Sequence, residues 1–330
     1  MRLLPKSVGP MPSDLTGEGR AARPLSILGP TASGKSSLAL GVTELLASQG
    51  QTAELVSVDS MQVYVGMNVG TATPTPEEQA SVPHHLIDLV SPSEVFTVAT
   101  FQRRARAAIA DVRARGAVPI LVGGTGLYLR SVIDDLDIPP RFPNTRAALE
   151  AQLAAGTSIE MMHERLADLD PTAAERMEPN NERRVLRALE VVLGSGLLFS
   201  SFGPGLETYP ATPFVQVAIR WPRKVLDERI ERRYAAQMAA GFLEEVQRLR
   251  ETGPSHTAAQ ALGYRELLAH LDGHTTLDEA LEIAINRTRQ FARRQERWFR
   301  RDPRIAWLDA PVDPADALLV WNQALARPVR

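Results

Sequence analysis

The sequence predicts an α/β fold, in which a parallel sheet is flanked by helices and an all-helical domain is inserted into the chain. Three observations lead to this prediction. Short apolar segments alternate with segments of helical periodicity in the first and last parts of the chain. A glycine-bounded loop joins the first apolar segment to a helix. From 145 to 193 the pattern is helical throughout.

The first strand is predicted at 24–28 and continues into a loop that ends in Gly-Lys-Ser. The loop consists of Gly29, Pro30, Thr31, Ala32, Ser33, Gly34, Lys35 and Ser36. Strand, loop and helix in this order are typical of a P-loop, so we expect a P-loop NTPase-like sheet. Backbone N–H groups and the helix N-terminus would bind a polyphosphate. Lys35 adds a positive charge, and the Ser36 hydroxyl is suited to Mg²⁺.

The second predicted strand, 54–58, is followed by Asp59, Ser60, Met61 and Gln62. Because ligands of open α/β sheets collect at the carboxyl ends of strands, Asp59 is expected beside the P-loop. Three roles are open to this carboxylate: a ligand of Mg²⁺, a general base toward a nucleophile, or a structural turn or helix N-cap. The adjacent His84 and His85 would point to opposite faces of an extended segment, and we interpret them as structural or peripheral.

A third buried strand, 118–122, is followed by Gly123, Gly124, Thr125 and Gly126. No acidic residue follows this strand, so Asp59 is the best-placed carboxylate near the P-loop. The glycines would allow the backbone to approach a ligand, to which Thr125 would offer its hydroxyl. An ordinary strand-to-helix turn explains the glycines about as well.

The prolines between 136 and 143 interrupt the α/β alternation and mark the start of the helical insertion. We predict a core domain formed by 23–138 and 207–330, with an insertion domain at 139–206. Residues 1–22 contain no apolar segment and are predicted to be a disordered leader, not a signal peptide.

The composition of the 330 residues narrows the possible partners and compartments. The net charge is −2, so a nucleic acid would have to be bound by local arginine clusters. Cysteine is absent, which excludes disulfides and thiolate metal sites and is compatible with a cytoplasmic protein. No apolar run approaches membrane-spanning length. We therefore expect a cytoplasmic protein that does not associate with membranes and acts as a monomer.

Three arginine clusters allow more than one interpretation. Arg229 and Arg233, on a helix or helix pair between 225 and 250, could close over a phosphoryl group or pair within the helix with Glu228 or Glu231. The arginines after Pro179 could pair with acids or face water. They are Arg183, Arg184 and Arg187.

The third cluster is on a helix predicted at 285–301, where only Glu296 opposes the arginines. These are Arg287, Arg289, Arg293, Arg294, Arg297, Arg300 and Arg301. Such a basic surface suits a phosphate backbone. Phe291 and Trp298 are expected to anchor this helix to the core.

Eight segments together resemble the bacterial tRNA dimethylallyltransferases and fall in order across 25–310. They are GPTASGKS (29–36), VSVDSMQVY (56–64), MNVGTATP (67–74), PHHLIDLV (83–90), LVGGTGLYL (121–129), PNNERRVLRALEV (179–191), GYRE (263–266) and RQERWFRR (294–301). The resemblance implies transfer of a dimethylallyl group from dimethylallyl diphosphate to N6 of adenosine 37. This nucleotide lies next to the anticodon in tRNAs that read codons beginning with U.

The resemblance also implies roles for individual residues. Lys35, Ser36 and Arg233 would hold the diphosphate and its Mg²⁺, with Arg229 a weaker candidate. Asp59 would be the general base, and Thr125 would lie next to it and to the adenosine. The implied contacts with the tRNA anticodon stem-loop are Asp59, Ser60, Met61, Gln62, Thr125, Arg146, Arg183, Arg184, Arg187, Gln260, Gly263, Tyr264, Arg265, Arg293, Arg294, Arg297 and Arg300. Leu197 stands where the family commonly has a lysine, which puts a contact there in doubt.

Three alternatives to this function stay open from the sequence. A prenyltransferase could act on free AMP, ADP or ATP, although the helical insertion and the arginine-rich helix favour tRNA. A P-loop small-molecule kinase would bind ATP and use Asp59 in phosphoryl transfer. A non-enzymatic RNA-binding module is disfavoured by the intact Gly-Lys-Ser together with Asp59.

Overall fold

The computed structural model describes residues 23–203 and 205–327, and the predicted leader at 1–22 lies outside this range. The strands of the described residues are β1 (Leu25–Leu28), β2 (Ala53–Val58), β3 (His84–His85), β4 (Val118–Gly123), β5 (Val215–Arg220) and β6 (Ile305–Asp309). They form one six-stranded sheet in the order β3-β2-β4-β1-β5-β6, and the paired strands are parallel. The α/β prediction is confirmed. No helix in the described ranges is long and apolar enough to span a membrane.

The helices in the same part of the chain are α1 (Lys35–Ser48), α2 (Pro76–Ser81), α3 (Val98–Ala114), α4 (Gly126–Ile133), α5 (Pro143–Ala154), α6 (Ile159–Leu169), α7 (Pro171–Glu175), α8 (Glu182–Ser195), α9 (Arg223–Ala239), α10 (Phe242–Glu251), α11 (His256–Ala259), α12 (Tyr264–Leu271), α13 (Leu277–Arg300) and α14 (Pro314–Leu325). A short 3₁₀ turn follows α8 at Phe199–Ser201. Chain contacts group these elements into two compact units, of which one is Asp135–Pro210. The other runs up to Asp134 and resumes at Ala211.

β1 lies between its two neighbours, β4 and β5. Leu25 is in register with Ile120 of β4 and with Val215 of β5. All four residues of β1 are buried, which is the pattern of a strand covered on both faces. The loop that follows β1 therefore leaves the sheet with a strand on either side.

Helices cover both faces of this sheet and create two apolar cores. α1 and α14 pack on one face, where Leu38, Val42 and Trp321 are buried. α3, α4 and α9 to α13 contribute to the core on the other face. Consecutive residues of β2 illustrate the alternation, because Leu55 belongs to the first core and Val56 to the second.

The unit Asp135–Pro210 has an apolar core of its own. Helices α5 to α8 occupy the stretch whose periodicity predicts helices, and they bury Leu149, Leu166 and Leu189 among one another. α8 begins at an N-cap, where the side chain of Asn181 accepts from the Arg184 N–H at 3.3 Å.

Two helix boundaries differ from the simplest interpretation of the sequence. α13 begins at Leu277 and not at Ile285, because Thr276 and Glu279 form a capping box ahead of it. The segment 225–250 is a helix pair, the second of the two alternatives. α9 and α10 are separated at Gly241, whose φ of 89° is left-handed and disfavours other residues.

Candidate active site

The P-loop connects β1 to α1 in a conformation that requires glycine at both ends. Gly34 precedes α1 with a φ of 90°, in the left-handed region. At Gly29 a Cβ atom would lie 2.6 Å from the Ser33 hydroxyl oxygen. The loop is closed by the Ser33 N–H, which donates to the Pro30 carbonyl at 3.2 Å. The first turn of α1 therefore opens toward the loop, where an anion can interact with the helix N-terminus.

Four cations surround an open cavity of about 390 Å³ above this loop. Its lining residues are Ala32, Gly34, Lys35, Ser36, Arg229, Arg232 and Arg233. The lining contains no acidic side chain. This cavity of the described chain is therefore suited to a polyanion.

Burial lowers the pKa of three of these cations, Lys35, Arg229 and Arg233. It lowers the pKa of Lys35 to about 8; the positive charge of Arg233 adds to this effect, and the negative charge of Asp59 opposes it. Burial also lowers the pKa of Arg233, again with Asp59 among the opposing charges. A bound anion would compensate for this lost hydration, so the electrostatics favour anion binding in the cavity.

Arg229 and Arg233 of α9 contact the P-loop and do not follow the intrahelical alternative. Arg229 Nε donates to the Ala32 carbonyl at 2.8 Å, and its guanidinium lies 4.6 Å from the centre of the Trp221 ring. Arg233 Nη1 donates to the Thr31 hydroxyl at 3.2 Å. Glu231, one of the two acids proposed as intrahelical partners, instead pairs with Arg289 of α13.

A second cavity of about 110 Å³ adjoins the first and shares Lys35, Ser36 and Arg233 with it. Its lining residues are Thr31, Lys35, Ser36, Leu55, Ser57, Asp59, Gln62, Thr71, Ala72, Pro74, His84, Val122, Gly123, Arg233, Phe291 and Gln295. Asp59 therefore lies beside the P-loop, as expected from its place after β2. His84 also lines this cavity and so is not peripheral, while its Nδ1, 2.7 Å from the Val82 carbonyl oxygen, makes a contact consistent with the structural alternative.

The turn that carries Asp59 is tied to the loop after β4. Asp59 Oδ1 accepts from the Met61 N–H at 2.8 Å, so the carboxylate has the predicted turn role in addition to facing the cavity. The Ser60 N–H donates to the Thr125 hydroxyl at 3.3 Å. Gln62 is held by the Ser57 hydroxyl, which donates to its Oε1 at 2.7 Å. Thr125 is thus adjacent to the Asp59 turn.

Internal packing explains the glycines after β4, in agreement with the strand-to-helix alternative. A Cβ atom at Gly123 would overlap the Val58 carbonyl, and one at Gly124 would overlap the Gln295 side chain. At Gly126 it would overlap Trp298. These glycines therefore allow other parts of the protein to approach the backbone closely.

Gln295 and Phe291 of α13 are site residues that the sequence reasoning missed. Gln295 Oε1 accepts from the Thr31 N–H and its Nε2 donates to the Gly124 carbonyl, both at 2.9 Å. Phe291 lines the second cavity, so its predicted role as a core anchor is wrong, while Trp298 does pack against the core. Buried Ala292 and Phe299 give the inner face of α13, and this spacing could have identified Gln295.

A buried carboxylate, Glu245 of α10, shapes the loop opposite the P-loop. It accepts hydrogen bonds from the N–H groups of Asn68, Val69 and Gly70 at 2.8 to 3.0 Å. The Gly70 carbonyl in turn lies 3.5 Å from Arg233 Nη2. Glu245 therefore fixes the loop at 68–70, which contacts Arg233 of the first cavity.

The structure corrects the predicted RNA contact of Tyr264. This side chain is 1% exposed, and its hydroxyl donates to Glu245 Oε1 at 2.6 Å. Burial and the adjacent carboxylate raise the pKa of Tyr264. Gly263 is also buried, with its N–H donating to Glu266. Arg265 Nη1 donates to the exposed Gln260 at 2.8 Å, so this pair is the accessible part of the segment.

Some arginines of α13 form ion pairs with acidic side chains. Arg287 pairs with Glu266 and Arg289 with Glu231, so the expectation that only Glu296 opposes this cluster is wrong. Glu296 itself pairs with Arg300. The predicted contacts on the exposed face of α13 are Arg293, Arg294, Arg297 and Arg300.

The predicted RNA-contact arginines of the unit Asp135–Pro210 also include exposed residues and residues in ion pairs. Arg183 and Arg184 are exposed on α8. Arg187 donates to Glu190 at 2.8 Å and to the Pro139 carbonyl at 2.6 Å, which joins α8 to the segment ahead of α5. Arg146 pairs with Glu150 along α5. Arg187 therefore has a structural role within this unit.

Comparisons with known proteins agree with this geometry. The family model described as IPP transferase matches residues 62–302. The tRNA dimethylallyltransferase of Kineococcus radiotolerans is 48% identical over 297 residues, which cover 88% of this chain and 93% of the relative. The enzyme of the same name from Thermobifida fusca is 47% identical over 302 residues, covering 89% and 93%.

Solved structures give the same result. A tRNA isopentenylpyrophosphate transferase from Bacillus halodurans matches with a TM-score of 0.65 at 36% identity, covering 92% of this chain and 96% of that one. A eukaryotic dimethylallyltransferase acting on tRNA matches with a TM-score of 0.76 at 25% identity, covering 94% and 81%. Sequence and structure together show that the chain belongs to the IPP transferase family.

Proposed function

We propose that this chain is a tRNA dimethylallyltransferase, which transfers a dimethylallyl group from dimethylallyl diphosphate to N6 of adenosine 37 and releases diphosphate. The observation that carries the proposal is the placement of Asp59, Lys35 and Arg233 on one cavity beside the P-loop. Two cations and a carboxylate at adjoining positions match a reaction in which an anion leaves and a proton is removed.

The reaction joins the adenosine N6 to the allylic carbon that carries the diphosphate. A new C–N bond forms as the C–O bond breaks, and the bonding electrons leave with the diphosphate. Lys35 and Arg233 stabilise the negative charge that develops there. Asp59 accepts the proton that the amine loses, which leaves the product neutral at N6. The role proposed for Thr125 is to orient the adenosine, and it is supported by the hydrogen bond that its hydroxyl accepts from the Ser60 N–H in the turn that carries Asp59.

Oxygen donors at this site fit Mg²⁺, the ion proposed as cofactor. The hydroxyl-bearing Ser36 is exposed and lines both cavities, and Asp59 lines the smaller one. Within the described ranges, no group of three or more His, Cys, Asp or Glu residues forms a ligand cluster. Mg²⁺ commonly uses few protein ligands and completes its shell with substrate phosphates and water. When bound, it would neutralise charge on the diphosphate.

The tRNA is proposed to bind through its phosphates to the exposed arginines of α13. Arg293, Arg294 and Arg297 are exposed on the helix whose inner face carries Phe291 and Gln295 of the second cavity. An adenosine must leave its stack to reach such a cavity, at a cost of a few kcal/mol. Backbone contacts along α13 would help to offset this cost.

A competition assay tests the proposed function. The protein is incubated with dimethylallyl diphosphate, Mg²⁺, an anticodon stem-loop with an adenosine-rich 3′ side, and free AMP, and the nucleosides are analysed by mass spectrometry. We expect N6-prenyl adenosine in the RNA alone. Prenylated AMP would support the free-nucleotide alternative instead. Phosphate transfer from ATP in a parallel reaction, without prenyl transfer, would refute the proposal.

A further inference from the structure

The side chain of Gln295 hydrogen-bonds to both the P-loop and the loop after β4. Its carbonyl oxygen accepts from the Thr31 N–H, and its amide nitrogen donates to the Gly124 carbonyl. Both distances are 2.9 Å, and the residue is 7% exposed. A buried amide with both ends bonded is costly to replace, because each lost partner leaves a backbone group unsatisfied.

The two loops that Gln295 joins have different proposed tasks. Thr31 of the P-loop accepts a hydrogen bond from Arg233, and the P-loop lines the cavity proposed to bind diphosphate. The loop after β4, through Thr125, is bonded to the turn of Asp59. One loop therefore belongs to the donor side of the reaction and the other to the acceptor side.

A neutral amide satisfies both loops at once, because it carries one acceptor and one donor group. The Thr31 N–H needs an acceptor, and the Gly124 carbonyl needs a donor. The absence of a Cβ atom at Gly124 is what allows this approach, since one there would overlap the Gln295 side chain. Glutamate could still accept from Thr31, but its second oxygen would face the Gly124 carbonyl without a proton.

We infer that Gln295 is a positioning residue that fixes the spacing between the donor loop (29–36) and the acceptor loop (123–126). The inference rests on the proposed function and extends it. In this assignment Gln295 acts through its bonds to the two loops and takes no chemical part in the reaction. It sets the distance between the allylic carbon and the attacking amine by holding the two loops to one rigid helix, α13.

The inference predicts that loss of the Gln295 amide lowers the rate of prenyl transfer but leaves the affinity for pyrophosphate nearly unchanged. A misplacement of about 1 Å can cost about 10²-fold in rate. Inorganic pyrophosphate would contact the donor loop and the arginines of α9 but not the acceptor loop, so its affinity should change by less than about threefold. Loss of general stability would reduce neither quantity once the folded fraction is corrected for.

The experiment compares Gln295→Leu and Gln295→Glu with the wild type. Single-turnover prenyl transfer is measured at saturating dimethylallyl diphosphate and stem-loop RNA, and pyrophosphate binding is measured by calorimetry. Gln102→Leu is the control, because Gln102 is also buried but bonds to Ser131 on the face of α3 and α4. We expect both Gln295 variants to lose about 10²-fold in rate, with pyrophosphate affinity retained and the control unaffected.

The outcomes discriminate between the possibilities. If Gln295→Leu does not fold, Gln295→Glu decides, because it preserves volume and the bond from Thr31. A rate within threefold of wild type in a folded variant overturns the inference. A loss of pyrophosphate affinity equal to the loss of rate also overturns the inference, because Gln295 would then only stabilise the donor loop. A wild-type protein without prenyl transfer would refute the proposed function, and this inference with it.

Discussion

Arg233 Nη1 lies 3.2 Å from the hydroxyl oxygen of Thr31, although 202 positions separate the two residues along the chain. This contact brings α9 against the P-loop and adds a buried guanidinium to the lysine that the loop itself supplies. The cations that line the first cavity therefore come from two distant parts of the sequence. The contribution of each cation to the affinity for diphosphate can be tested by replacing one residue at a time.

Arg233→Ala should weaken binding of inorganic pyrophosphate by about 2 kcal/mol or more, or about 30-fold, since removing a buried charge partner typically costs 2–5 kcal/mol. Arg229→Ala should have a smaller effect, because part of the Arg229 side chain is committed to the Ala32 carbonyl and the Trp221 ring. Calorimetric titration measures both. Equal losses for the two variants would contradict the division of roles proposed for them.

Binding of pyrophosphate should weaken as the pH rises above 8. The pKa of Lys35 is lowered to about 8 by burial, so the ligand-free site loses this positive charge through that range. Only the protonated amine attracts the anion, and affinity therefore falls on the alkaline side. Lys35→Arg is the control, because guanidinium stays charged and its profile should be flatter between pH 7 and 9.5. Parallel profiles for the two proteins would exclude Lys35 as the titrating group.

Asp59→Asn should reduce single-turnover prenyl transfer by about 10²- to 10⁴-fold, the range expected for loss of a general base. Asparagine can still accept from the Met61 N–H, so the turn after β2 and the affinity for RNA should be preserved. Asp59→Ala should be as inactive and also lose this hydrogen bond. Product analysis measures the rate and filter binding the RNA affinity. An active Asp59→Asn enzyme would show that another group accepts the proton.

Replacing Arg294 and Arg297 by alanine should weaken stem-loop binding and lower its salt dependence. Each phosphate contact contributes about one unit to the slope of log affinity against log salt, so the slope should fall by about two. Arg103 and Arg104 are exposed on α3 and provide a control with the same change in charge. An unchanged slope in the α13 double variant would remove this face from the RNA interface.

Glu245→Gln should lower the free energy of unfolding by about 1.5–3 kcal/mol, the range for hydrogen bonds to a charged group. The carboxylate accepts from three consecutive backbone N–H groups and from Tyr264, whereas the amide NH₂ of glutamine would face donors. Urea unfolding measures the change. Glu244→Gln, at the exposed neighbouring position, should alter stability by less than about 0.5 kcal/mol.

The elements that the sequence predicts well are those with a local signal. The P-loop and its flanking strand and helix follow from apolar periodicity and glycine placement within a short stretch. The position of Asp59 follows from a general property of parallel sheets. The start of α13 is predicted too late because the capping box at Thr276 lies ahead of the arginine-rich region on which the prediction is based.

Features that depend on distant partners were not accessible from local patterns. Periodicity places Arg287 and Arg289 on α13 but does not reveal that Glu266 and Glu231 lie opposite them. The same holds for Gln295, whose two backbone partners lie in other elements. A helical period assigns a face to a side chain, and only tertiary packing assigns its neighbours.

The central place of β1 has a consequence for synthesis on the ribosome. Leu25 is among the first of the described residues to be translated, yet one of its two flanking strands begins at Val215 and the glutamine that braces the adjoining loop is residue 295. A nascent polypeptide cannot complete the second cavity until α13 has been synthesised. Premature termination before α13 should therefore yield chains that lack Phe291 and Gln295 of this cavity and do not transfer the prenyl group.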